Sequence, residues 1–230
     1  MSAPLWCVVP AAGRGTRVGG SIPKQYLPLA GRPLILHTLE RLASHPRIAG
    51  LMVVLGDNDG HWPGVDRLYG KPVLTTLGGA ERCDSVLAGV RALPSEIGDD
   101  DFVLVHDAAR PCVREGDITR LLDLGMPAGG GLLGAPLRDT LKRANDAGRS
   151  DVTEPRDHRW RAFTPQMFRR GELSAALQAA YAAGVTVSDE AMAMERAGAA
   201  PLLVEGAEDN IKVTTATDFA LAEFLLSRMK

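Results

Sequence analysis

The run LWCVVPAAGRGTRVGGSIPKQY (residues 5–26) decides how the rest of the chain is read. Residues 5–9 are apolar and rich enough in β-formers for a buried strand. Gly13, Gly15, Gly19 and Gly20 follow in one loop, with Arg14, Arg17 and, past Pro23, Lys24. A glycine-rich turn after the first strand of a parallel sheet lies at the carboxyl edge, where such sheets bind ligands. Glycine lets the backbone approach a phosphate and turn several N–H groups toward it. Two familiar loops do not fit. From Gly13, the pattern G-x-G-x-x-G fails at Val18; from Gly15, G-x-x-x-x-G-K-[ST] fails at Ser21. What remains is a glycine head with a lysine at the far end. Backbone amides would hold one part of a polyphosphate and Lys24 another. A surface turn with solvated charges is the alternative.

Further along, apolar runs alternate with amphipathic ones. Residues 51–55, 102–106, 132–136 and 202–205 read as strands, and 73–76 as a weaker one. Helical spacing marks 33–44, where Leu34, Leu36, Leu39 and Leu42 form a stripe, and also 82–93, 115–124, 168–183 and 189–197. Thr215 and Asp218 match a capping box opening a last helix. Strand–helix alternation predicts an α/β fold with a mostly parallel central sheet and helices on both faces. Residues 138–161 break the pattern: they are polar, charged and poor in large apolar side chains. The turn signal NDAG (residues 145–148) lies between TLK and DVT, so this segment reads as a protruding β-hairpin arm. Such a hairpin cannot bury itself; it is a mobile flap or an arm that grips another subunit.

Composition narrows the partners. The chain has 230 residues, enough for one such domain, and a net charge of −2, so nothing in the bulk balance attracts nucleic acid or an anionic membrane. No apolar run reaches membrane-spanning length and no signal peptide is visible, which leads us to expect a cytoplasmic protein. Cys7, Cys83 and Cys112 have no metal-type spacing and read as reduced thiols.

Three more stretches carry candidate chemistry. In VHDAARP (residues 105–111) a strand ends in Asp107, an acid facing the same crevice as the glycine loop. It suits a divalent metal or a ribose hydroxyl; an ion pair with Arg110 is the alternative, and His106 reads as a satisfied strand histidine. GGAERCDS (residues 78–85) leads a glycine pair into a helix, offering N–H groups and Ser85 to a base or phosphate, or helix capping by Ser85 or Asp84. DNIKVT (residues 209–214) places Lys212 in a short β-like stretch, where a solvated lysine is the simpler reading. There is no G-x-S-x-G, H-E-x-x-H or C-x-x-C. Arg17, Lys24, Asp107, Arg156 and Lys212 make a poor hydrolase but suit a reaction that crowds negative charge onto phosphates.

The motifs PAAGRGTR (10–17), PKQY (23–26), GGAERCDSV (78–86), VHDAARP (105–111), RDTLKR (138–143), TPQMF (164–168), SDEA (188–191) and DNIKVT (209–214) occur in one register. Together they resemble the 2-C-methyl-D-erythritol 4-phosphate cytidylyltransferases of the non-mevalonate isoprenoid pathway. The resemblance implies a Rossmann-like nucleotidyltransferase fold over one domain, residues 1–230. It also implies transfer of a cytidylyl group from CTP to methylerythritol phosphate with Mg²⁺, releasing pyrophosphate. It puts Ala11, Ala12, Gly13 and Gly15 at the CTP site, with Asp107 and Ala108, and Gly79 and Ser85 on the cytosine. Arg17 and Lys24 would hold the triphosphate. Arg156 and Lys212, with Thr140 and Thr164 and with Arg110 nearby, would hold the methylerythritol phosphate. Any Mg²⁺ would sit near Asp107, held mainly by CTP phosphates. The family is a homodimer with interlocked arms, so Thr140 and Arg156 would serve the partner's site. A cytidylyltransferase for another polyol phosphate, such as ribitol 5-phosphate, would carry the same loop.

Overall fold

The computed structural model describes residues 4–13 and 22–229. Its first strand, β1 (Leu5–Pro10), shows why the core forms on two sides. Leu5, Cys7 and Val9 enter one hydrophobic cluster and Trp6 and Val8 the other, the period-2 alternation of a strand buried on both faces. After a short hairpin, β2 (Pro28–Leu29) and β3 (Arg32–Pro33), come α1 (Leu34–Ser44), β4 (Ile48–Leu55), β5 (Arg67–Leu68), β6 (Lys71–Leu77) and α2 (Arg82–Arg91). Then follow β7 (Phe102–Val105), α3 (Glu115–Gly125), β8 (Gly130–Pro136), β9 (Leu141–Ala144), β10 (Ser150–Glu154) and β11 (Trp160–Arg169). The chain ends with α4 (Arg170–Ala182), α5 (Glu190–Arg196), β12 (Leu202–Glu205) and α6 (Ala216–Arg228).

The main sheet runs β12-β8-β11-β7-β1-β4-β6-β5. Strands β7, β1, β4 and β6 are mutually parallel, as are β12 and β8, while β11 runs antiparallel between β7 and β8. Helices α1 and α3 cover one face; α2, α4 and α5 cover the other. In α1 the side chains that reach the core are Leu34, Ile35, Leu39 and Leu42, each with no exposure, whereas Leu36 lies at the margin. Burying each of these contributes roughly 1.5–3 kcal/mol. Packing on the other face is close. Gly89 of α2 sits on β1 and β4, where a methyl group would come within 2.5 Å of Val8 and 2.6 Å of Val54.

Two expectations need correction. Phe168 is not in a helix: residues 160–169 form β11, and α4 starts at Arg170. The run holds Pro165, which lacks a ladder donor, and the β11–β8 register shifts between Ala162 and Gln166. The arm is a hairpin as expected, with Thr153 opposite Lys142 and Glu154 opposite Leu141. Yet Trp160 and Arg161, counted within it, already pair with Pro136 and Ala135 of β8. The hairpin strands belong to their own two-stranded sheet and are almost wholly exposed.

From β1 the chain proceeds through β4 and β6 to one side of the sheet, then returns to place β7 on the other. The strand order therefore reverses between β1 and β7, and a crevice opens outside their carboxyl ends, where open α/β sheets bind ligands. Ladder hydrogen bonds continue past the strands and fix the loops there: Ala11 N–H to Val54 O (2.8 Å), His106 N–H to Val8 O (2.9 Å) and Gly78 N–H to Leu55 O (2.8 Å).

Candidate active site

At this crevice lies a cavity of about 400 Å³. Its walls are Pro10–Gly13 from the end of β1, Lys24 and Gln25, Gly79–Arg82 with Ser85, Asp107–Ala109, and Lys212 with Thr214. Each wall has a local cause. Gln25, buried beside Lys24, donates to Ala11 O (2.7 Å) and Gly13 O (3.0 Å), tying the far end of the glycine loop to its head. Lys24 opens a single 3₁₀ turn and donates to Val213 O at 3.0 Å. Ser85 does not cap α2. Its Oγ accepts from Gly79 N–H (3.2 Å) and donates to Glu81 O (3.1 Å), while the Asp84 carboxylate accepts from Glu81 N–H as one half of a capping box with the Glu81 side chain.

Asp107 is the centre of charge. One carboxylate oxygen accepts from Arg82 Nε at 3.1 Å, and the other lies 2.9 Å from Lys212 Nζ and 3.5 Å from Arg110 Nε. Burial alone would raise its pKa. The three cations outweigh that and hold the carboxyl far below the usual carboxylate range. The ion pair with Arg110 thus exists, but as one of three. Lys212 sits in an irregular loop rather than a strand, anchored by Val213 N–H to Ala109 O at 2.8 Å.

Below the cleft a neutral relay supports Asp107. Arg110 O can only accept, so His106 Nε2 carries the proton and donates to it at 3.0 Å. Thr164 Oγ1 then donates to His106 Nδ1 (3.0 Å) and accepts from Asp107 N–H (3.0 Å). Burial pushes the His106 pKa down to about 4, which keeps the relay neutral. Asn210 joins this floor, donating to Thr164 O and accepting at its own carbonyl from Arg110.

Of the residues expected at the site, Ala11, Ala12, Gly13, Lys24, Gly79, Ser85, Asp107, Ala108 and Lys212 line one cavity. Arg110 and Thr164 lie buried next to it. Thr140 and Arg156 do not line it; they are exposed at the base of the arm, where Arg156 donates to Arg138 O. Gly15 and Arg17 lie outside the described residues. Sequence reasoning gave no role to Arg82, Glu190 or Gln25. All three stand inside the quoted motifs, but nothing in local spacing tells that Arg82 and Glu190 meet.

A family model for 2-C-methyl-D-erythritol 4-phosphate cytidylyltransferase (IspD) matches residues 5–228. The chain belongs to that family. It is 60% identical to the cytidylyltransferase of this name from Stenotrophomonas maltophilia strain K279a, over 99% of both chains. It is 59% identical to that of Xanthomonas euvesicatoria pv. vesicatoria, over 98% of this chain and 86% of the relative. A crystal structure of 4-diphosphocytidyl-2C-methyl-D-erythritol synthase superposes with a TM-score of 0.85 at 31% identity, over 98% of this chain and 100% of that one. The Francisella tularensis 2-C-methyl-D-erythritol 4-phosphate cytidylyltransferase gives 0.83 at 31% identity, over 97% and 100%. The cytidylyltransferase fold and the crevice at its strand-order reversal agree with the Rossmann-like nucleotidyltransferase architecture expected from the motifs.

Proposed function

We propose that the cleft between β1 and β7 is where this cytidylyltransferase joins CTP to 2-C-methyl-D-erythritol 4-phosphate. The enzyme moves the cytidylyl group of CTP to that acceptor, giving 4-diphosphocytidyl-2-C-methyl-D-erythritol and pyrophosphate. The observation that carries the site assignment is the cluster of Lys212, Arg82 and Arg110 around one carboxylate, beside Lys24.

The nucleophile is an oxygen of the acceptor's phosphate monoester. With a second pKa of about 6 it is largely dianionic at neutral pH. A new P–O bond forms to the α-phosphorus as the bond to the bridging oxygen of pyrophosphate breaks, and no proton has to leave. The obstacle is anion meeting anion, which fixed cations lower and in-line positioning assists. In this reading Ala11, Ala12, Gly13 and Gly15 lie along the nucleotide with Ala108, and Gly79 and Ser85 meet the cytosine. Lys24 and Arg17 hold the triphosphate, while Lys212 takes the incoming phosphate with Arg110 nearby. Thr164 supports the backbone of Asp107 from beneath.

Among the described residues no group of three or more His, Cys, Asp or Glu could hold a metal. Two acidic residues, Glu81 and Asp107, line the cleft, too few for a protein cage, which fits Mg²⁺ that arrives on nucleotide phosphates. Bound there, Mg²⁺ would neutralise phosphate charge beside Asp107. Thr140 and Arg156 are read as reaching a partner's cleft from an interlocked homodimer arm, supported by the hairpin's exposure and by their absence from this chain's own cavity wall. Among the described residues no helix is long and apolar enough to cross a membrane.

The test is pyrophosphate release with CTP, Mg²⁺ and methylerythritol phosphate, repeated with ATP, GTP and UTP and with ribitol 5-phosphate. Release is expected with the first combination alone. Equal catalytic efficiency with ribitol 5-phosphate would overturn the acceptor assignment.

A further inference from the structure

Glu190 is the first residue of α5, remote in sequence from the cleft, and it has no exposure at all. A carboxylate so placed needs a counter-ion. It finds one in Arg82: the two Glu190 oxygens accept from the two terminal nitrogens of the guanidinium at 2.6 and 3.1 Å. The third donor of that guanidinium, Nε, reaches Asp107 Oδ1 at 3.1 Å, and Asp107 Oδ2 in turn lies 2.9 Å from Lys212 Nζ. A single line of charge, Glu190–Arg82–Asp107–Lys212, therefore runs from α5 to the cleft wall.

The start of α5 is itself fixed. Asp189 caps it, accepting from Met192 N–H at 3.0 Å. Gln166 of β11, 1% exposed, donates to the other Asp189 oxygen (2.9 Å) and accepts from Ala191 N–H (2.7 Å). Gln166 thus grips the residues on either side of Glu190, so its carboxylate is aimed rather than free to choose a partner. A guanidinium held by a two-point fork keeps one plane and one direction for its Nε–H donor. That donor meets Asp107, which sets where Lys212 stands.

We infer that Glu190 is a positioning residue: by holding Arg82 in a two-point fork it fixes Asp107, and through Asp107 the amine of Lys212 that meets the acceptor phosphate. The inference rests on the assignment of Lys212 to that phosphate. Misplacing a group by about 1 Å costs on the order of 10²-fold in rate. Glu190→Gln keeps size and one acceptor oxygen but points its amide nitrogen at a guanidinium N–H, breaking the fork.

The experiment is a kinetic cycle of Glu190→Gln, Lys212→Ala and the double variant in the full-length enzyme, with CTP binding measured by calorimetry. Glu190→Gln is expected to lower kcat/KM for methylerythritol phosphate by about 10- to 100-fold, with CTP affinity changed by less than about threefold. In the Lys212→Ala background the same change is expected to cost little more, because the residue it positions is gone. A merely structural role would cost the same in both backgrounds, and that result overturns the inference, as does a folded Glu190→Gln enzyme with wild-type kinetics. If Glu190→Gln does not fold, Arg82→Lys keeps the cation and loses the fork. It should show the same loss and the same non-additivity, and wild-type kinetics there would be equally fatal. Should Lys212→Ala alone turn over normally, the site assignment fails instead.

Discussion

Lowering the pH from 7.5 to 4.5 is expected to weaken the fold through His106 in particular. The neutral ring is used at both nitrogens, with Nε2–H donating to Arg110 O and Nδ1 accepting from Thr164 Oγ1. A second proton on Nδ1 would face the Thr164 hydroxyl hydrogen and force it away, loosening the support of Asp107 N–H. Burial, the largest cause, lowers the His106 pKa from the ordinary 6.5 to about 4. The unfolded chain therefore takes up a proton at pH values where the folded chain refuses it. This contribution to stability is complete above pH 6.5 and is lost as the pH falls toward 4. Between pH 7.5 and 4.5 the linkage amounts to about 2–3 kcal/mol. For a chain of this size that is a fall of roughly 5–10 °C in Tm.

Glu190 works in the opposite sense, since burial raises its pKa against the pull of Arg82; protonation steadies it as the medium acidifies. Comparison with His106→Gln removes that contribution, because the variant keeps Glu190 and has no ring to protonate. Urea unfolding of both proteins at pH 7.5, 6.5, 5.5 and 4.5 gives the difference curve. Wild type is expected to lose about 2–3 kcal/mol more than the variant across the range. A stability difference that stays constant with pH would refute the reasoning, since it would mean that His106 takes up its proton as readily in the fold as out of it.

Lys24→Ala and Arg17→Ala are each expected to lower turnover on the order of 10²-fold, as when one donor to a developing oxyanion is removed. Steady-state kinetics with normal kcat and only a raised CTP requirement would count against both roles. If Arg156 serves the partner's cleft, re-pairing the inactive Lys24→Ala and Arg156→Ala dimers should restore roughly a quarter of wild-type activity, the share of sites made whole in a two-fold assembly. No recovery after mixing would place Arg156 in its own subunit's site or in none. Gly89→Ala presses a methyl group against Val8 and Val54 and should cost about 1–3 kcal/mol. An unchanged urea midpoint would mean that α2 rests more loosely on the sheet than described.

The parallel half of the sheet was legible because β1, β4 and β7 are short, continuous apolar runs, the mark of strands buried on both faces. The antiparallel β11 was hidden. Arg161 and Pro165 interrupt its apolar pattern, and its Met167–Phe168 end runs into the apolar spacing of α4, so periodicity joined it to the wrong element. Lys24, Asp107 and Lys212 could be proposed because each ends or follows a strand in a loop with a chemical reason to be there. Arg82 and Glu190 could not. Their partnership spans 108 positions, and locally each passes for an ordinary residue in the first turn of a helix. Thr164 could be named from the motif, yet the use of its hydroxyl beneath Asp107 depends on β11 lying beside β7, which was the missed strand.

A carboxylate at the centre of the proposed anion-binding cleft needs a reason, because Asp107 opposes the very charge such a cleft would receive. Three cations gathered without it would repel one another by several kcal/mol per pair, about 4 kcal/mol at 4 Å in a partly screened protein site. They would splay apart, and an arriving acceptor phosphate would have to reassemble them during the reaction. Asp107 removes that task by giving Arg82, Arg110 and Lys212 fixed directions beforehand, and Glu190 takes the surplus charge of Arg82 on the far side. Lys212, the most exposed of the three, is the one whose ammonium has donors to spare for phosphate while one stays on Asp107, with Arg82 and Arg110 bound below. In the proposed reaction the acid would therefore serve catalysis by ordering the cations whose charge it partly cancels.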